Sequence, residues 1–174
     1  MYLKIMGSIF ILCLSAPIFA DDIEERYRQA GHPATTATRL NELSSDPDPS
    51  VRERIASNRR TPAAILLRLA KDPNTSVKIS LATNLSAPDG IYPLLARDAA
   101  LAVRSVVARF EYVPVIALNI LAKDGDVDIR LEVARNLNTT RLILSQLMAD
   151  DNDRVKAVAT QALQRLSEEE AEGN

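Results

Sequence analysis

The sequence predicts an all-α fold, a short α-solenoid of about six 26-residue two-helix repeats. Three observations carry that prediction. Residue types recur every 26 positions without an insertion: Asp46, Asp72, Asp98, Asp124 and Asp150 form one column, and Val51, Val77, Val103, Ile129 and Val155 another. Each period holds two apolar stripes at helical spacing, separated by a turn that ends in Pro62, Pro88 or Pro114. Composition agrees, with 47% hydrophobic and only 4% aromatic residues, as in an ordinary helical domain.

Residues 1–20, MYLKIMGSIFILCLSAPIFA, have the layout of a secretory signal peptide. Lys4 supplies the positive start, Ile5 to Leu14 the apolar stretch, and Pro17 a helix break before the small residue Ala20. Cleavage is expected after Ala20, which places the mature protein in the periplasm or outside the cell, with no stable membrane insertion. An uncleaved N-terminal membrane anchor is the alternative, although sixteen apolar residues after Lys4 are short for a span. Cys13 lies inside this segment, so the mature chain has no cysteine for a disulfide or a thiolate metal site.

The repeat domain occupies residues 21–174, with residues 22–47 as an N-terminal capping unit. There Glu25 and Gln29 replace the apolar columns that no preceding unit would cover. In each unit the first helix starts at a cap column: Asp22, Asp48, Asn74, Ala100, Asp126 and Asn152. Its stop is expected at Asn58, Asn84 and Asn136, through a left-handed residue, with Leu85 or Leu137 packing back on the last turn. The second helix carries Ile65, Leu66 and Leu69 or their equivalents and ends near the next Asp. Residues 152–174 form the other cap, expected as one helix from about Asp153 to Leu166 followed by the acidic tail Glu168 to Asn174.

The order Asp72-Val77-Lys78, repeated as Asp98-Val103-Arg104, resembles the HEAT family of helical repeats. The short period, in segments such as DPSVRERIASNRRTPAAILLRLAKD, looks closest to the leucine-rich repeat variant branch. The resemblance covers about residues 30–158. It implies a right-handed α-solenoid that serves as a binding scaffold. Some members of that branch carry an iron–sulfur domain, and nothing here matches its cysteines. Other HEAT-like folds include alkylpurine DNA glycosylases and bilin lyases.

Charge narrows the function classes. The chain has 21 basic and 23 acidic residues, and losing residues 1–20 removes Lys4 alone. A general nucleic-acid binder needs a basic surface, so no nucleic acid is expected. The Asp column and the Arg52, Lys78, Arg104 and Arg130 column are expected to pair as a structural ladder. His32 stands alone in the Asn column as a turn residue, and no cofactor or metal is expected. The pattern fails in the third full unit, where Ala100 replaces the cap and Phe110-Glu111-Tyr112 replace the Asn turn. Phe cannot close a helix through a left-handed residue, so this turn is expected to differ from the others. Either Phe110 and Tyr112 fill a core pocket, or they form a partner site with Arg60, Asn84, Asn136 and Asn138 around them.

The leading function is a monomeric, non-catalytic scaffold that binds a protein partner. The alternatives are a HEAT-like lyase or enzyme-associated factor, and a structural subunit of an envelope complex.

Overall fold

The computed structural model describes residues 22–172, with side chains through residue 168. The expected signal segment, its cleavage point at Ala20, Cys13 and the end of the acidic tail lie outside these described residues or side chains. Among the described residues the fold is all-α, with eleven α-helices and no strand.

Long and short helices alternate. The long ones are α1 (Ile23–Gly31), α3 (Pro49–Ser57), α5 (Thr75–Ala82), α7 (Leu101–Arg109), α9 (Val127–Arg135) and α11 (Asp153–Glu172). The short ones are α2 (Ala37–Leu43), α4 (Ala63–Leu69), α6 (Tyr92–Leu95), α8 (Val115–Leu121) and α10 (Arg141–Leu147). Each long helix packs on the next long helix, and each short helix packs on the long helices before and after it. A helix of seven to nine residues is marginal alone in water, so this packing is what holds each one.

The cap column works as its chemistry dictates. Asp48, Asn74, Asp126 and Asn152 each accept from the backbone N–H two residues on, at 2.8 to 3.0 Å. Asp22 does so at 3.5 Å, and Ala100 has no side chain to offer. In the short helices Pro62 and Pro114 fill the cap position, and Thr36 and Thr140 accept from the N–H three residues on. The second full unit departs from the rest. Its short helix opens with a 3-10 turn at Asp89–Ile91, because Pro93 has no N–H to give the Asp89 carbonyl.

Burial follows the columns. Val51, Val77, Val103, Ile129 and Val155 are at most 2% exposed, and so are Ile55, Leu81, Val107 and Val133 one turn later. Ala56, Ala82, Ala108 and Ala134 are also buried, and their small size lets consecutive long helices approach closely. Each fully buried Leu, Ile or Val contributes about 1.5–3 kcal/mol relative to exposure. α11 runs on to Glu172, past the expected stop at Leu166, since no breaker interrupts Ser167 to Glu172.

The charged columns form a ladder with one rung in each unit. Arg26 pairs with Asp46, Arg52 with Asp72, Lys78 with Asp98, Arg104 with Asp124 and Arg130 with Asp150, at 2.5 to 2.7 Å. One carboxylate oxygen takes the cation's shortest contact. The other accepts the N–H of the cap residue two positions on, as Asp72 does from Asn74 at 2.8 Å, and in the arginine rungs it also takes a second guanidinium nitrogen, as from Arg52 Nη2 at 3.0 Å. Arg52, Arg104 and Arg130 also donate to the backbone carbonyl of the preceding Asp in the column, each at 2.8 Å. Each of these arginines therefore ties two consecutive turns. The Arg130 guanidinium holds the Asp150 carboxyl below its usual range. At Asp72 burial pushes upward, but Arg52 and the Asn74 N–H outweigh it and the carboxyl again stays low.

The carboxylate facing Arg104 is thus Asp124, whereas Asp98, its neighbour in sequence, takes Lys78. The two side chains are 19% and 9% exposed. Arg104→Ala or Asp124→Ala leaves a largely buried charge alone and is expected to cost about 1–3 kcal/mol. A double-mutant cycle read by denaturant unfolding should give a coupling of about 1 kcal/mol or more, and additivity within about 0.3 kcal/mol would contradict the rung.

Candidate functional site

The turns that lead from long to short helices carry every side chain in the expected partner site. Their geometry rests on a second ladder. Asn58 and Asn136 end α3 and α9 in extended backbone, at φ −75°, ψ 115° and φ −67°, ψ 128°. Among the described residues no non-glycine residue has a positive φ, so the left-handed closure expected at these asparagines is wrong. The side chain explains why Asn stands there instead. Asn58 Nδ2 donates to Ala30 O, Asn84 Nδ2 to Ala56 O and Asn136 Nδ2 to Ala108 O, all at 2.7 Å and each one unit back. The same amide's Oδ1 accepts the N–H two residues on, from Arg60, Ser86 or Asn138 at 2.9 Å. One side chain thus fixes its own turn and caps a carbonyl at the end of the preceding long helix.

His32 fills half of this role, with Nδ1 accepting from Ala34 N–H at 3.1 Å. Among the described residues no long helix precedes α1 for it to reach. A threonine column completes the turn, and sequence reasoning missed it. Thr35, Thr61 and Thr139 donate their hydroxyls to Gln29, Ile55 and Val133 carbonyls at 2.6 to 2.8 Å. The signal was there, since these residues recur in register just before the short helices.

Phe110 interrupts the asparagine ladder without changing the turn. Its backbone, φ −66° and ψ 126°, matches Asn136, and α7 has nine residues like α3 and α9. The expectation of a rearranged turn therefore fails: extended backbone is open to Phe as much as to Asn. The ring is half-buried and stacks on Tyr92, with centroids 6.0 Å apart and planes at 14°. Tyr112 meets Phe110 edge-on at 5.8 Å and is itself 62% exposed. Tyr92 is 3% exposed, and its phenol is pushed up to about 12, by burial first and then by Asp89.

Three rings thus run from core to solvent. Tyr92 was missed, although it is the one aromatic in the column of Leu66, Leu118 and Leu144, one unit before Phe110. Phe110 belongs half to the core, and Tyr112 to the surface.

The remaining members of the expected site divide. Asn136 Nδ2 also donates to Phe110 O at 3.0 Å, and Asn138 Nδ2 donates to Glu111 O, so the next unit grips the aromatic turn directly. Asn84 is 4% exposed and gives its amide to Ala56 and Asn58 carbonyls, which makes it a joint between units rather than part of a rim. Arg60 is exposed in a turn two units earlier. Leu85 and Leu137 do not pack back on their helices; they stand 52% and 78% exposed in the turns flanking Tyr112. The apolar surface continues onto the first turns of the next short helices at Val115, Ile116 and Leu142, which are 44% to 69% exposed.

Among the described residues no group of three His, Cys, Asp or Glu is placed to hold a metal ion. The larger concavities lie elsewhere. One of about 660 Å³ sits over Arg26, Arg39, Leu43 and Pro47, and another of about 590 Å³ lies between α10 and α11.

Phe110→Asn can rebuild the missing rung, because the backbone already has the required shape. The variant is expected to fold with its helix content intact and to lose at most about 2 kcal/mol, the restored hydrogen bonds offsetting part of the lost ring packing. Circular dichroism with urea unfolding checks this; a loss beyond about 4 kcal/mol would show that the aromatic stack holds the fold.

Comparison with known proteins adds no relative: a scan against protein-family models and a search of curated proteins both return no match.

Proposed function

We propose that the chain is an exported, non-catalytic scaffold that binds a protein partner along the edge formed by its long-to-short turns, centred on the third full unit. In this reading it is a short right-handed α-solenoid of about six 26-residue two-helix units, a HEAT-like protein resembling the leucine-rich repeat variant branch.

One observation carries the reading. The recurrent Asp, Arg and Asn side chains are spent on joining units, while Leu85, Tyr112 and Leu137 stand 52%, 62% and 78% exposed in consecutive turns. A row of large apolar side chains is costly to leave in water, and it is the composition from which interface anchors are drawn. Asn136 and Asn138 bond the backbone beneath the aromatic pair, which fixes Tyr112 in place before any partner arrives.

The experiment is an affinity capture from the native envelope fraction, with the wild-type chain and Tyr112→Ala/Leu137→Ala side by side. The wild type is expected to retain a discrete protein that the variant loses. Both side chains are mostly in solvent, so stability should stay within about 0.5 kcal/mol of wild type. A partner retained by the variant, or a variant that melts far lower, would remove this edge from consideration. A small metabolite copurifying with the chain in place of a protein would favour the HEAT-like lyase alternative.

A further inference from the structure

We infer that the partner segment taken by this edge is an acidic, extended peptide with aliphatic side chains at about every third residue. The inference rests on the reading of the long-to-short turns as the partner site.

Charge is the first argument. The chain as a whole is slightly acidic, with a formal net charge of −2. The edge leans the opposite way: exposed Arg59 and Arg60 lie in these turns and exposed Arg109 ends α7 beside Tyr112, against Glu111 in the turns and Asp89 just after that of Leu85. Every cation of the charged column has its carboxylate, from Arg26 to Arg130. Arg59, Arg60 and Arg109, in contrast, have no carboxylate partner among the described residues. Solvated guanidinium groups around exposed apolar side chains complement a chain that carries both acids and aliphatic anchors.

The broken ladder supplies the second argument. In three turns the N–H two residues after the column position is held by an asparagine oxygen, at 2.9 Å. Phe110 has no such oxygen, and the Tyr112 N–H makes no hydrogen bond among the described residues. The fold therefore presents an unused backbone donor beside its most exposed ring. An extended peptide offers carbonyl oxygens to such a donor, whereas a helix has consumed its own.

Spacing is the third. Leu85, Tyr112 and Leu137 sit one unit apart in turn, and neighbouring helices pack at about 8–10 Å. An extended chain of the polyproline II type has three residues per turn and advances about 3.1 Å per residue, so every third side chain lies on one face and falls in step with the units.

The test uses the full chain and fluorescent synthetic peptides of about fifteen residues, long enough to cover several units. The probes are repeats of Glu-Glu-Leu, Lys-Lys-Leu and Glu-Glu-Gly. The Glu-Glu-Leu peptide is expected to bind at least about tenfold tighter than either control and to weaken as salt rises. Arg59→Glu/Arg60→Glu/Arg109→Glu should reduce its affinity by at least about tenfold, with an unchanged melt, since all three side chains are exposed. Equal binding of the basic peptide, indifference to salt and charge reversal, or no binding to the wild-type chain would overturn the inference. The capture experiment separates the two levels. Loss of the native partner from Tyr112→Ala/Leu137→Ala, together with no preference for Glu-Glu-Leu, sinks the acidic segment and leaves the partner edge standing. Retention of the native partner by that variant removes both.

Discussion

The contact between each unit's cation and the aspartate that closes the same unit, together with the guanidinium's bond to the preceding unit's aspartate carbonyl, is the constraint on which the rest depends. Arg104 illustrates it. Its Nε meets Asp124 at 2.7 Å, while another guanidinium nitrogen donates to the Asp98 carbonyl at 2.8 Å. One planar side chain thus spans two turns that are 26 residues apart, with the directional donors that only guanidinium provides. The aspartate meets the guanidinium with both oxygens, at 2.7 and 3.3 Å, and the second of these also accepts the N–H at the start of the next long helix. Stacking and helix initiation therefore share an atom set. This fits a period without insertions: a single extra residue between Arg104 and Asp124 would carry the carboxylate away from its guanidinium.

The asparagine ladder performs the same task at the opposite edge. Both ladders draw their donors and acceptors from backbone groups that helix ends leave unsatisfied. Short helices have proportionally many such groups, so a chain in which nine of the eleven described helices have seven to nine residues needs many side chains to meet them. The thriftiness of the sequence follows. Polar residues that recur are structural, and residues that break the recurrence are released from that duty. Phe110, Tyr112 and Glu111 belong to the second class, which is why they attract a functional reading.

The helices, their caps and the buried Val, Ile and Ala columns were legible in the sequence because they depend on local spacing and on side chains within three or four residues. The charged columns were also visible as a ladder, but not their pairing, since Arg104 is closer in sequence to Asp98 than to Asp124. The asparagines were misread for a related reason. Asn is favoured both in left-handed backbone and as a bridge between carbonyls, and only the carbonyl of Ala56 lying 2.7 Å from Asn84 decides between them. The same error propagated to Phe110, whose turn needs no special backbone at all. In the candidate site, Tyr112 and Asn138 are both exposed in neighbouring turns. Leu85 and Leu137 were assigned to packing, although a leucine that follows an extended residue points away from the helix it leaves.

The central claim is that guanidinium bridging of successive turns sets the stability of the stack. Lys78 occupies the one rung in the column without a guanidinium, and it makes a single 2.5 Å contact with Asp98. The most direct measurement is the urea unfolding of Lys78→Arg. An arginine there can reach the Asp72 carbonyl as Arg104 reaches that of Asp98, and the account predicts a gain of about 0.5–1.5 kcal/mol, or a melting temperature higher by about 1–6 °C. An unchanged or lowered stability would contradict it, and would assign the strength of the stack to the buried Val, Ile and Ala columns alone.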